Sequence, residues 1–187
     1  LHLLSRRQRQ MCIRDREGAG PARMARSLNS MLMGFSRVET FVTAFIAKID
    51  LKTGRATYCS AGHPPTMVIR PESMPLGGGG ARGGEVELLG CQSGVIGAFE
   101  SMVYETGAFT FAPGDMLFMY TDGTIEARDR TGAFFGEQRL RDLLLSVSGE
   151  GVSGICGKVL GELDRFTESA LDDDIALVSL EFLRGRS

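Results

Sequence analysis

Between Met116 and Leu183 the apolar residues change their spacing twice, and that change restricts the fold more than any other feature of the chain. Met116 to Thr121 is an apolar run of strand length, closed by Asp122-Gly123. Leu140, Leu143, Leu144 and Val147 then fall on one face of a helix, and Val152, Ile155, Val159 and Leu163 on one face of another. Asp174 to Leu183 returns to strand character. Helices grouped between strands, rather than alternating with each of them, point to an α+β class with antiparallel sheets.

The earlier part of the chain supports that class. Met24, Leu28, Met31, Leu32 and Phe35 recur at helical spacing, and Pro21 is allowed in the first turn. Thr40 to Leu51 is rich in β-branched and aromatic residues, Lys52-Thr53-Gly54 reads as a hairpin turn, and Arg55 to Ser60 returns antiparallel. Further strands are predicted at Thr66 to Arg70, Glu85 to Leu89 and Met102 to Phe111, with a turn at Pro113-Gly114-Asp115. Gly77 to Gly80, followed by Gly83-Gly84, lacks the Lys-Ser/Thr of a phosphate-cradling loop and has no helix after it, so it reads as a surface loop.

Composition excludes several classes. A net charge of -2 gives no electrostatic case for nucleic acid or an anionic membrane. No apolar run approaches the roughly 20 residues of a membrane span, and the basic start, Leu1 to Arg16, has no apolar centre that would make it a secretory signal. Cys12, Cys59, Cys91 and Cys156 are scattered without zinc-site or disulfide-framework spacing, which fits free thiols in a reducing cytoplasm.

Two places hold carboxylates where a metal site could form. Asp122 follows an apolar strand directly, and Gly123 lets the backbone turn close to a ligand. Asp172-Asp173-Asp174 precedes the apolar run Ile175 to Val178, and three adjacent acids repel one another unless cations or solvent screen them. If the two strands are neighbours, Asp122 and Asp173 meet at one rim of the sheet. An all-oxygen cluster selects Mg²⁺ or Mn²⁺ over zinc, and two such ions can activate water and neutralise a phosphate. The plainer alternatives stand beside this: an Asp-Gly after a strand also serves as a simple turn, and an acidic run as a solvated end. His63, in Ala61-Gly62-His63-Pro64-Pro65, is either an acid or base near a phosphate or a turn residue bonded to the backbone. Asp115 is most simply a turn residue.

Taken together, the segments resemble the metal-dependent PPM-type serine/threonine phosphatases, the type 2C superfamily, and within it the SpoIIE-like bacterial sporulation and sigma-regulation branch. The matching pieces are Phe41-Val42-Thr43, Ala61-Gly62-His63-Pro64-Pro65, Pro113-Gly114-Asp115, Tyr120-Thr121-Asp122-Gly123 with Glu126-Ala127, Phe135-Gly136, and Asp173-Asp174-Ile175, in the family's order. The resemblance implies a layered α-β-β-α sandwich of antiparallel sheets flanked by helices. It implies Asp122 and Asp173 as catalytic metal ligands for two Mn²⁺ or Mg²⁺ ions, Asp174 in their second shell, and Gly123 as the residue that lets the chain turn beside the metal. The implied reaction is direct attack of metal-bound hydroxide on phosphoserine or phosphothreonine, without a phosphoenzyme. The implied partner is a phosphorylated anti-sigma-factor antagonist in a switching circuit in the cytoplasm, and members of the branch often carry an upstream sensory domain.

The family also opens with strands and an early aspartate that bridges both metals. Asp15, in Asp15-Arg16-Glu17-Gly18-Ala19-Gly20, imitates that segment but runs straight into the next helix. The expectation is therefore a non-family leader at 1–16, a phosphatase domain at 17–187 that is incomplete at its N-terminus, and a chain that is weakly active or inactive. Two alternatives follow: a phosphoprotein-binding pseudophosphatase, or a β-rich sensor or interaction module whose acidic rim is only solvated.

Overall fold

A computed structural model describes residues 20–35, 41–71, 84–90, 93–168 and 173–183 of the chain. The leader, Asp15 and the glycine run 77–80 lie outside these residues. The chain folds as two compact units, one of 1–63 with 90–110 and one of 64–89 with 111–187.

In the first unit, helix α1 (Pro21–Phe35) accompanies a three-stranded antiparallel sheet of order β1 (Ala44–Ile49), β2 (Arg55–Ala61) and β5 (Gly107–Thr110). The hairpin lies where the sequence put it. The Asp50 carboxylate accepts the Lys52 N–H at 2.9 Å, and Gly54, at φ +71°, returns its own N–H to the Asp50 carbonyl at 2.8 Å. The expected helix stripe needs correction. The residues buried on α1 are Pro21, Ala22, Ala25 and Asn29; Leu28 and Leu32 are half-buried against the core, and Met24 and Met31 are half-buried as well. Alanines on that face let the helix pack closely on Cys59 and Ala61 of β2.

The expected strand Met102 to Phe111 is also shorter, running only Gly107–Thr110. Tyr104 leaves the ladder instead and is buried, its hydroxyl 3.1 Å from both Asn29 Oδ1 and the Val95 carbonyl.

The second unit holds a four-stranded antiparallel sheet of order β4 (Glu85–Leu89), β3 (Thr66–Arg70), β6 (Met116–Tyr120) and β7 (Leu177–Glu181). With it go the short helix α2 (Gly123–Glu126) and the amphipathic helices α3 (Glu137–Val147) and α4 (Val152–Thr167). Leu140, Leu144, Ile155, Val159 and Leu163 are fully buried with Met67, Ile69, Met116 and Phe118, as their spacing requires. Each such side chain contributes about 1.5–3 kcal/mol by leaving water. Two antiparallel sheets with segregated helices make the α+β class expected from the sequence.

Asp115 is more than a turn residue. Its carboxylate accepts the Ala112 N–H at 2.7 Å, is almost fully buried, and stands 3.8 Å from Arg70. Among the described residues no helix is long and apolar enough to cross a membrane, and neither Cys59 nor Cys156 forms a disulfide.

Candidate functional site

The pairing of β6 with β7 decides where the carboxylates go. The two strands run antiparallel with Tyr120 opposite Leu177, so the end of β6 and the approach to β7 share one rim of the sheet. Asp122 lies just past the first and Asp173 just before the second. The condition attached to the sequence reading, that the two strands be neighbours, is met.

Asp122 caps helix α2. Its Oδ1 accepts the Gly123 N–H at 3.1 Å, and its carbonyl accepts from Ile125 and Glu126 at 3.0 and 2.9 Å. Gly123 is buried against the opposing segment. A Cβ placed there would stand 2.8 Å from the Asp174 carbonyl oxygen and 3.3 Å from the Asp173 Cβ, so only glycine permits this approach. On the other side, Asp173 Oδ1 accepts the Asp174 N–H at 2.7 Å. Asp174 contributes through its main chain, since its carbonyl also accepts the Thr121 hydroxyl at 3.0 Å. Asp122, Asp173 and Asp174 are all exposed.

Around this turn the chain is tied to itself. The Phe135 and Gly136 amides return to the Ala127 and Ile125 carbonyls at 2.8 and 2.9 Å. In the loop between, Asp129 Oδ1 accepts from the Thr131 amide and hydroxyl and from the Ala133 amide, bonds that lower its pKa. Beneath the turn, the buried hydroxyls of Tyr120 and Thr124 have no hydrogen-bond partner among the described residues. Burial pushes the Tyr120 phenol up to about 12, with the Glu137 charge adding to the shift, so it stays neutral.

The fit to a divalent cation can be judged from the donors. Carboxylate oxygens on an exposed rim, beside a backbone cradle that a Cβ would fill, suit hard ions such as Mg²⁺ or Mn²⁺ and not zinc. Among the described residues no group of three or more His, Cys, Asp or Glu side chains converges, so the set offered is two carboxylates. Ions that keep several waters can be held by one or two carboxylates, which makes the fit adequate but weak.

His63 belongs to the first unit, where its half-buried ring packs tilted against Phe45 at 6.2 Å and its carbonyl accepts the Ser60 hydroxyl at 3.4 Å. The aspartates belong to the second unit. Thr121 entered the sequence reading only as part of the strand and motif before Asp122, with no role of its own.

Comparison with known proteins places the chain in a family. The chain is 29% identical over 143 residues to Protein IcfG of Synechocystis, covering 75% of this chain and 20% of that protein. It is 23% identical over 163 residues to phosphoserine phosphatase RsbU of Bacillus subtilis, covering 87% and 45%. The chain thus spans less than half the length of these relatives. The phosphatase domain of the cell fate determinant SpoIIE from Bacillus subtilis, solved from a crystal presoaked with Mn, superposes with a TM-score of 0.63 at 18% identity, covering 88% of this chain and 66% of that one. At that identity the superposition establishes the fold. The family model described as Stage II sporulation protein E (SpoIIE) matches residues 8–183, and the chain therefore belongs to that family of PP2C-type serine/threonine phosphatases.

Proposed function

We propose that this chain carries the hydrolytic chemistry of its family, releasing phosphate from phosphoserine or phosphothreonine on a small protein of a bacterial switching circuit, a phosphorylated anti-sigma-factor antagonist. The observation that supports the reading is that the exposed residues Asp122 and Asp173 lie on one rim of the sheet, just past the end of β6 and just before β7, where Gly123 lets the two segments approach. The name of the relative RsbU, a phosphoserine phosphatase, supports the substrate class, and the Mn-presoaked SpoIIE domain supports the metal.

In this reading Asp122 and Asp173 hold Mn²⁺ or Mg²⁺, and Asp174 fixes Asp173 from behind through its amide. Bound there, the ions supply Lewis acidity that activates a water and offsets the charge of the phosphate. The protein's part is positioning. The α2 cap orients Asp122, Gly123 admits the Asp173 segment, and the Asp129 loop stiffens the chain that follows. Two carboxylates give modest affinity, so turnover should be slow and should need high metal concentration.

The test is phosphate release from para-nitrophenyl phosphate by the full chain, with and without manganese, beside its Asp122→Ala variant. Slow manganese-dependent turnover that falls by more than about 100-fold in the variant supports the reading, since removing a ligand should exceed the 10–100-fold loss typical of an outer-shell partner. Turnover that ignores manganese, or that survives the substitution, removes Asp122 from the chemistry. A folded chain that binds manganese but releases no phosphate is instead a phosphoprotein-binding member of the family, the outcome that the two-carboxylate count leaves as the alternative.

A further inference from the structure

The hydrogen bonding at the end of β6 assigns Thr121 a positioning role: its hydroxyl sets the register at which the Asp122 turn and the Asp173–Asp174 segment present their carboxylates to a shared cation. The inference rests on the reading of Asp122 and Asp173 as ligands, and adds to it a residue that touches neither cation nor phosphate.

The argument starts from the ladder. Tyr120 pairs with Leu177, so the next rung would join Thr121 to Ala176 by two backbone bonds. The first is made, with the Thr121 N–H donating to the Ala176 carbonyl at 3.1 Å. For the second, the Thr121 carbonyl is already engaged, since it accepts the Thr124 N–H at 3.0 Å and so opens helix α2. The Thr121 side chain takes its place. Its hydroxyl accepts the Ala176 N–H at 3.0 Å and donates its own proton to the Asp174 carbonyl at 3.0 Å. One oxygen thereby completes the rung and ties the Asp174 main chain to the end of β6.

This task needs a group that accepts and donates at once from a Cβ. Serine has that group; valine has threonine's shape without it. The Gly123 contact shows how narrow the fit is, because the Asp174 carbonyl would be only 2.8 Å from a Cβ there. The rim is exposed, so water can satisfy the Ala176 amide and the Asp174 carbonyl if the hydroxyl is lost. The loss should therefore fall on the register of the carboxylates more than on global stability.

The experiment is calorimetric titration of Mn²⁺ into the full chain as wild type, Thr121→Val, Thr121→Ser and Asp122→Ala, with metal-free thermal melts of each. The expected result is a Val variant bound about tenfold or more weakly, in the range typical of outer-shell partners, with a metal-free Tm close to wild type and affinity restored by Ser. Equal affinity for wild type and Val, with Asp122→Ala impaired, overturns the role of Thr121 and leaves the ligand reading standing. Loss in Val that Ser does not restore also overturns it. No saturable binding by wild type, or unchanged binding by Asp122→Ala, rejects the ligand reading and this inference with it. Should the Val variant not fold, hydrogen exchange of the Ala176 amide in the wild type decides: it should slow in saturating Mn²⁺ relative to EDTA, and an unchanged rate overturns the inference.

Discussion

In the first unit, residues 97–106 form no strand, and polar bonds tie them to helix α1. Asn29 donates to the Phe99 carbonyl at 2.9 Å, accepts the Gly97 N–H at 2.7 Å, and lies 3.1 Å from the Tyr104 hydroxyl, all from a buried position. In the second unit, helices α3 and α4 meet the sheet through Leu140, Leu144, Ile155, Val159 and Leu163, with no buried polar partner needed among those side chains. Apolar packing is non-directional and spreads its loss over many neighbours. A buried amide that serves three partners is directional: removing it takes the Gly97 N–H's acceptor away, and leaves the Tyr104 hydroxyl only the Val95 carbonyl and the Phe99 carbonyl only the Met102 N–H. Damage to the first should be global and graded; damage to the second should be local and abrupt.

The largest expected effect lies in the apolar unit. Leu163→Ala leaves a cavity against fully buried neighbours and should cost about 3 kcal/mol by urea denaturation, within the usual range for such truncations. The comparison sharpens with Asn29→Ala, which should cost about 2 kcal/mol, the scale for unsatisfied buried polar groups. Its signature is distinctive: faster hydrogen exchange and proteolysis confined to residues 93–106, while the protection of α4 is kept. If Asn29→Ala instead lowered protection evenly through the chain, the local character of the polar latch would be wrong.

The same contrast explains what could be read from the sequence. The stripes of α3 and α4, the turn at Lys52-Thr53-Gly54 and the strands Thr66–Arg70 and Glu85–Leu89 were legible because their signals are local, a period or a turn residue. Asn29 lies within the helical run of α1, and its neighbours in sequence do not mark it. Its contact with Tyr104 spans 75 positions, and nothing local announces the pairing. Tyr104, for its part, looked like strand. At the candidate site the aspartates were visible from their motifs at strand ends, but whether they share a rim of the sheet hung on the adjacency of β6 and β7, a tertiary fact. The hydrogen bonding of Thr121 was not legible for the same reason, since its bond to Asp174 spans 53 positions.

Asp115 carries the comparison to its smallest effect, because it is a polar latch inside the apolar unit. Its carboxylate accepts the Ala112 N–H at 2.7 Å and lies 3.8 Å from Arg70, which also pairs with Glu87 at 2.6 Å and Glu85 at 3.8 Å. Burial pushes the Asp115 carboxyl above its ordinary value of 3.8, against the Ala112 bond and the Arg70 charge, which pull it down. A folded value above the unfolded one means that the native state holds the proton more tightly. The stabilisation from that proton is full below the unfolded value and is lost as pH rises through the folded one. Asp115→Asn keeps the volume and an acceptor for the Ala112 amide but cannot titrate. Its Tm should therefore gain on the wild type as pH rises from 4 through the raised value, in thermal melts taken across that window. A wild type that instead gains on the variant over the same range would show the Arg70 charge outweighing burial. The latch would then be held as an ion pair, and the second unit would depend on a directional polar contact just as the first depends on Asn29.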